Sequence, residues 1–188
     1  EFAVGQSLLV VNPGQNAADE NFQRLLCATK AHSTVTIDGQ NSSDFSKSRL
    51  AKVSNVELGP AKGGLLAVAS HHGYEKSHGI IHHRKLYLTT GGGNLRGADL
   101  LQYSGAPGEI ARTALIRFHL HPKVTVAMLR DQRVLIKIRG NRIGWLFRAS
   151  ASVSLETSLF FDVNGRMNCQ QIVVKVPLAD IRSVGNIG

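Results

Sequence analysis

Cysteine is scarce in this chain. Cys27 and Cys169 are the only two, far apart and without C-x-x-C spacing. That excludes a zinc finger and leaves open either one bridge or two free thiols. Rings for stacking are few as well, with three Tyr and one Trp. The basic residues are not interleaved with them, so the pattern of a nucleic-acid groove is missing and no nucleic-acid partner is expected. No apolar run approaches the ~20 residues of a membrane span, and no membrane partner is expected. The first dozen residues lack the basic n-region and small-residue cleavage site of a signal peptide. There is no G-x-S-x-G, hence no nucleophile elbow. Gly91-Gly92-Gly93-Asn94 lacks the Lys-Ser/Thr and the helix of a phosphate-binding loop. Acids number only 13 and mostly neighbour turn residues, so a glycosidase carboxylate pair is not evident. Asp38, Asp44 and Asp99 have turn or surface explanations as good as any catalytic one.

Positive charge, by contrast, is plentiful. Lys and Arg number 22, giving a formal net charge of +9. Such a surface attracts polyanions, among them acidic polysaccharides. The cations spread from Arg24 to Arg182 with no run of five, so charge alone selects no single partner and is equally that of a solvated surface. A length of 188 residues with 43% hydrophobic content suits one all-β domain spanning 1–188, with 178–188 as a tail.

Short apolar or alternating segments punctuated by turn residues dominate the chain. Strands are expected near 7–11, 51–58, 64–70, 79–90, 99–103, 113–121, 123–129, 132–139, 142–149, 152–161 and 170–177. Between them lie Asn12-Pro13-Gly14, Gly59-Pro60, Gly63-Gly64, Gly91 to Asn94, Gly105 to Gly108, Asp131-Gln132, Gly140-Asn141 and Asn164-Gly165. This regular punctuation predicts an antiparallel sandwich or barrel. Gly140-Asn141 between Val134–Arg139 and Arg142–Trp145 suggests a type I′ or related hairpin. Ala17 to Lys30 is the one helical candidate, with Phe22, Leu25 and Leu26 at i, i+3, i+4; an ordered loop fits it equally.

The chain is organised around Ala31 to Phe45, A-H-S-T-V-T-I-D-G-Q-N-S-S-D-F. Val35 and Ile37 alternate as in a half-buried strand, and Asp38-Gly39 marks a tight turn. His32 therefore stands at the mouth of a strand. Eight histidines occur, and they cluster. His119 and His121, two apart on one strand, would project about 7 Å apart from one face. That spacing can give a metal two imidazoles, but it also suits histidines satisfied at a sheet rim or in the core. A His-based metal-dependent β-barrel is the function class this pair would support. His71-His72 and His82-His83 are adjacent pairs whose members point to opposite faces, so neither chelates as a unit.

V-N-P-G (Val11 to Gly14) followed by A-H-S-T-V-T-I-D-G-Q resembles the heparinase II/III-like polysaccharide lyases. The resemblance continues through S-H-H-G-Y (Ser70 to Tyr74), H-H-R-K-L-Y-L (His82 to Leu88) and R-F-H-L-H-P (Arg117 to Pro122), over roughly 7 to 176. It implies the antiparallel β-sandwich that follows an N-terminal α/α toroid in that family. The implied chemistry is β-elimination on uronic-acid-containing polysaccharide, heparin-, heparan- or alginate-like. A base takes the C5 proton, an acid assists the leaving sugar, and positive or hydrogen-bonding groups neutralise the uronate. The toroid supplies the catalytic tyrosine, so no catalytic residue is assigned to this chain and little activity is expected from it alone. In members with zinc, one ligand corresponds to His32 and one to Asn12, where the family has Asp; the first ligand falls before this sequence. Zinc is the only cofactor implied, and because asparagine is a weak ligand, His32 is expected to hydrogen-bond at the interface with the toroid. The expected partners are thus an acidic polysaccharide and the toroid of the same parent, whose location stays open between bacterial periplasm and cytoplasm. The abrupt start at Glu1 suggests a domain cut from a longer protein. The other reading of the same residues is a non-catalytic domain that binds anionic polysaccharide.

Overall fold

The computed structural model describes residues 1–14, 20–44, 48–163, 165–178 and 186–187. The chain begins with β1 (Phe2–Val4) and β2 (Ser7–Val10), then α1 (Glu20–Cys27), a 3-10 turn (Thr29–Ala31) and β3 (Val35–Ile37). Four strands follow: β4 (Val53–Ala61), β5 (Gly64–Tyr74), β6 (Ile80–Thr89) and β7 (Leu95–Tyr103), with the short helix α2 (Glu75–His78) between β5 and β6. Next come β8 (Thr113–His119), β9 (Val124–Met128), β10 (Val134–Ile138) and β11 (Gly144–Phe147). The long strands β12 (Ser152–Asp162) and β13 (Gly165–Pro177) precede a two-residue β14 (Asn186–Ile187). The protein is all-β, and its paired strands run antiparallel.

The residues divide into two compact units. The first comprises Glu1–Asn41 and Thr113–Pro177. It contains a four-stranded sheet in the order β12-β13-β8-β3, a three-stranded sheet β11-β10-β9 and the β1-β2 hairpin. Alternation builds its core. Val134 and Ile136 on β10 and Ile172 and Val174 on β13 are each two apart, so both pairs point inward and meet Leu9, Leu120, Val124 and Val153. This is a sandwich interior made by two sheets. On β13 the burial runs unbroken from Gln171 to Val174, as expected of a strand covered on both faces.

The second unit comprises Ser42–Arg112 and Leu178–Gly188 and is built on a five-stranded sheet, β14-β7-β6-β5-β4. α2 is a single turn ended by Gly79 at φ +68°, whose N–H returns to the Glu75 carbonyl at 2.8 Å. Of the expected tail, Asn186 and Ile187 pair with Gln102 and Leu101 of β7.

Two local expectations change. Within the predicted span the helix is Glu20–Cys27, followed by the separate 3-10 turn, and α2 adds a second short helix where none was expected; 17–19 of the predicted span lie outside the described residues. The β10–β11 connection is a hairpin as expected, but of a related kind and not type I′. Lys137 pairs with Gly144, so the loop is longer than two residues, and only Gly140 has positive φ (+83°). Type I′ requires positive φ at both central residues. Asn141 instead accepts the Ile143 N–H on its side chain, a local bond that holds it outside the left-handed region. Cys27 and Cys169 are both free thiols.

Ile172 is buried to 1% exposure, so Ile172→Ala should lower unfolding free energy by about 2–5 kcal/mol. Val163 is fully exposed, and Val163→Ala should stay within about 0.5 kcal/mol. Urea unfolding with an unchanged m-value checks both; equal effects would deny the core its stated place.

Candidate functional site

The candidate site grows from the segment between the 3-10 turn and β3. Thr29 opens the turn, and its N–H is accepted by the Asn41 side chain at 2.9 Å. His32 follows in extended conformation (φ −115°, ψ 159°), three residues before Val35. β3 then closes with Asp38 (φ +46°) and Gly39 (φ +73°) and a Gln40 N–H to Ile37 carbonyl bond of 2.8 Å. Positive φ at both central residues is the type I′ geometry expected of Asp-Gly. The Asp38 carboxylate also accepts the Thr113 N–H at 2.8 Å, fixing the turn to the first residue of β8.

His32 Nδ1 lies 3.1 Å from Asn12 Oδ1. An amide oxygen only accepts, so in the neutral ring the proton sits on Nδ1 and Nε2 carries the lone pair. Asn12 is held by its neighbours. The Pro13 carbonyl accepts the Phe161 N–H at 2.8 Å, and Gly14 bridges to Phe161. Gly14 has φ +83°, and a Cβ there would lie 1.8 Å from the Phe161 carbonyl oxygen. Only glycine fits that approach.

β8 grips the His32 segment from beneath. His119 Nε2 lies 3.0 Å from the Lys30 carbonyl, so Nε2 carries the proton and donates. Nδ1 then accepts from the Ser158 hydroxyl at 2.8 Å. The His119 backbone N–H donates to Ser33 Oγ, and Arg117 reaches the Thr34 carbonyl with its N–H and Thr36 Oγ1 with its guanidinium. His119 is 4% exposed. Burial depresses its pKa to about 4; the Lys30 carbonyl pulls it up, while Arg117 and His32 push it down. His119 is therefore neutral at pH 7, with both ring nitrogens engaged.

His121 lies two residues past His119, beyond the end of β8, and its ring meets Phe160 edge-on at 5.3 Å between centroids. Its Nδ1 accepts the Lys123 N–H at 3.2 Å. Partial burial, and then Lys123, lower its pKa. Among the described residues no three His, Cys, Asp or Glu side chains converge to hold a metal. His32 and Asn12 contribute one imidazole and one neutral amide oxygen, short of the three or four protein ligands of a zinc site. The donor set present does not fit zinc by itself.

In the second unit, register does what adjacency could not. His71 faces His82 across β5 and β6, with Nε2 to Nδ1 at 3.0 Å. His82 Nε2 donates to Asp99 at 2.7 Å, and Arg84 grips both Asp99 oxygens at 2.7 and 3.1 Å. The His71 Nδ1 accepts the Gly73 N–H, which places its proton on Nε2. Asp99 is thus not a turn or surface residue: it anchors a partly buried chain of hydrogen bonds. Burial would raise its pKa, but the bonds from His82 and Arg84 outweigh that and hold it below the usual carboxylate value. Burial, then the charges of His82 and Arg84, lower His71 to about 4. His72 points elsewhere, to Ser54 at 3.0 Å and Glu75 at 2.8 Å, as alternation on a strand requires. These groupings and the grip of His119 escaped the sequence reading because they depend on cross-strand register. The clustering of histidines was their only visible trace.

The chain belongs to the heparinase II/III-like C-terminal family, whose model matches residues 1–186. Its fold is similar to that of a heparan sulfate lyase HepC mutant from Pedobacter heparinus, with a TM-score of 0.68 at 14% identity over 95% of this chain and 27% of that one. It is also similar to heparinase III, with a TM-score of 0.56 at 15% identity over 92% of this chain and 26% of that one. In sequence it resembles FtsZ-localized protein C of Caulobacter vibrioides (strain NA1000 / CB15N), 32% identical over 121 residues, or 60% of this chain and 21% of the relative. The chain thus spans between a fifth and about a quarter of the proteins it matches.

His119→Ala should reduce stability by about 2–4 kcal/mol, because it leaves a cavity and strands two part-buried partners, the Lys30 carbonyl and the Ser158 hydroxyl. The pH dependence has a definite sign. The folded pKa lies below the unfolded 6.5, so the unfolded chain binds the extra proton. The contribution of His119 is complete above pH ~6.5 and is lost as pH falls towards about 4, by up to about 3 kcal/mol. Urea midpoints between pH 7.5 and 4.5 measure this, and a His119→Gln variant with the same pH slope as the native chain would contradict it. Gly14→Ala should destabilise by at least about 2 kcal/mol and broaden the NMR resonances of the Asn12 side chain.

Proposed function

We propose that this chain is the β domain of a polysaccharide lyase that cleaves uronic-acid-containing polysaccharide by β-elimination. In this reading it closes the substrate cleft against an α/α toroid of the same parent protein. The observation that carries the reading is the 3.1 Å pairing of His32 with Asn12 at the strand mouth, in a chain of the heparinase II/III-like C-terminal family. His32 presents an imidazole whose orientation is set by Asn12 and by the grip of β8. Such a group hydrogen-bonds to the facing domain or to the sugar and lends precision to the cleft. The catalytic tyrosine and base come from the toroid. The excess of cations suits the developing charge on a uronate.

A second reading, binding of anionic polysaccharide without cleavage, is favoured by one observation. The relative at 32% identity is named for localisation with FtsZ, whereas the solved lyases are 14–15% identical. Under it the domain anchors a glycan for a protein that localises with FtsZ.

Joining the chain to the α/α toroid of a heparinase II/III-like lyase, and following ultraviolet absorbance of the unsaturated uronate, separates the two. Turnover that drops about 10- to 100-fold with His32→Ala supports the lyase reading. Heparin or alginate binding with no turnover in the joined protein supports the second.

A further inference from the structure

A second feature of the first unit lies apart from the His32 segment in sequence. The loop joining β9 to β10 and the loop joining β11 to β12 face each other across a cleft of about 420 Å³. That volume falls within the ~300–1,000 Å³ range of small-molecule clefts. Arg130 and Arg133 come from the first loop and Arg148 from the second. Asp131 pairs with Arg133, through a backbone bond and an ion pair. No partner is found for the Arg130 or Arg148 guanidinium among the described residues. The cleft therefore carries a surplus of positive charge with two guanidinium forks available.

The frame of this cleft is built rather than incidental. Leu129 and Arg133 close the hairpin, with the Leu129 N–H on the Arg133 carbonyl at 2.8 Å and the Gln132 N–H on the Leu129 carbonyl at 3.1 Å. Gln132 occupies the left-handed position at φ +61°, where this three-residue loop favours glycine. A β-carbon there is strained. The side chain explains its use, because Gln132 Oε1 accepts the Val153 N–H at 3.2 Å and ties the first loop to the start of β12. Glycine would relax the backbone and lose that tie. The hairpin that carries Arg130 is thus fixed relative to the loop that carries Arg148.

Resting on the lyase-domain reading above, we infer that this cleft is an anion subsite, in which Arg130 and Arg148 grip a sulfate or carboxylate group of the acidic polysaccharide. A guanidinium presents paired donors that match both groups, and two of them from separate loops select a charge held between them. Single-stranded nucleic acid fits less well, because no aromatic ring lines the cleft to stack a base. The subsite reads charge on the chain while the His32 segment performs its own contact.

The probe is a size-defined heparin hexasaccharide, titrated calorimetrically into the native chain, into Arg130→Ala/Arg148→Ala and into Lys137→Ala/Arg139→Ala. The last pair removes the same formal charge from exposed positions outside the cleft lining. The cleft pair should weaken binding about tenfold or more and flatten its salt dependence, and the control pair should change it less than about twofold. Gln132→Gly should weaken binding while leaving net charge unaltered. Equal losses in the two charge pairs would overturn the subsite and leave the polysaccharide reading standing. A native chain that fails to bind the hexasaccharide at low salt would overturn both. Single-stranded DNA of equal charge that binds as tightly, with the same loss in the cleft pair, would reassign the cleft to nucleic acid.

Discussion

The arrangement around His32 depends on one buried, neutral imidazole. The residues from Thr29 to Thr34 precede the β3 ladder, and where local turns leave a polar backbone group unpaired it needs a partner from elsewhere in the fold. His119 answers this from β8: its ring holds the Lys30 carbonyl, its N–H holds Ser33, and its other nitrogen is taken by Ser158. Because the ring is buried and both nitrogens are occupied, its tautomer is fixed. A fixed tautomer has directional consequences: one nitrogen can only donate and the other only accept. The His32 segment inherits its position from that constraint and from the Asn12 turn that Gly14 seats against Phe161.

The histidines divide by what burial permits. His119 and His71 are held neutral by desolvation, and a neutral imidazole in the interior serves as a rigid two-ended connector. In the second unit His82 carries such a connection to Asp99, whose charge Arg84 balances with a bidentate fork. Arg133 is likewise committed to Asp131. The guanidinium groups of Arg130 and Arg148, with no partner found among the described residues, share one cleft. The chain is strongly basic overall, but pairing decides which cations remain for an anionic ligand, and net charge alone cannot reveal it.

Similarity of fold at 14–15% identity has a physical basis in the same material. A sandwich interior asks for apolar side chains at alternate positions and for turns at the right intervals, and many sequences meet that demand. The Asn12–Gly14 turn and the His32 strand mouth are more exacting, since they require a backbone approach that excludes a β-carbon and a matched pair of polar groups. They are the parts of the chain in which residue identity, rather than pattern, carries the argument.

By itself the sequence determined the all-β class, most of the strands, the Asp38-Gly39 turn and the family, because period-two alternation, turn chemistry and ordered motifs are local properties of the chain. His32 and Asn12 were legible through the motifs that contain them. What only the tertiary structure decided was pairing. It joined His71 to His82 and made Asp99 an anchor instead of a surface acid. It committed both nitrogens of His119 and sent His121 to Phe160. It also brought Arg130 and Arg148 to one cleft from two separate loops. Each of these depends on strand register and on contacts between residues distant in sequence. A one-residue slip in register would reverse the face of every side chain on the strand, and alternation within a single strand does not fix which residue its partner presents.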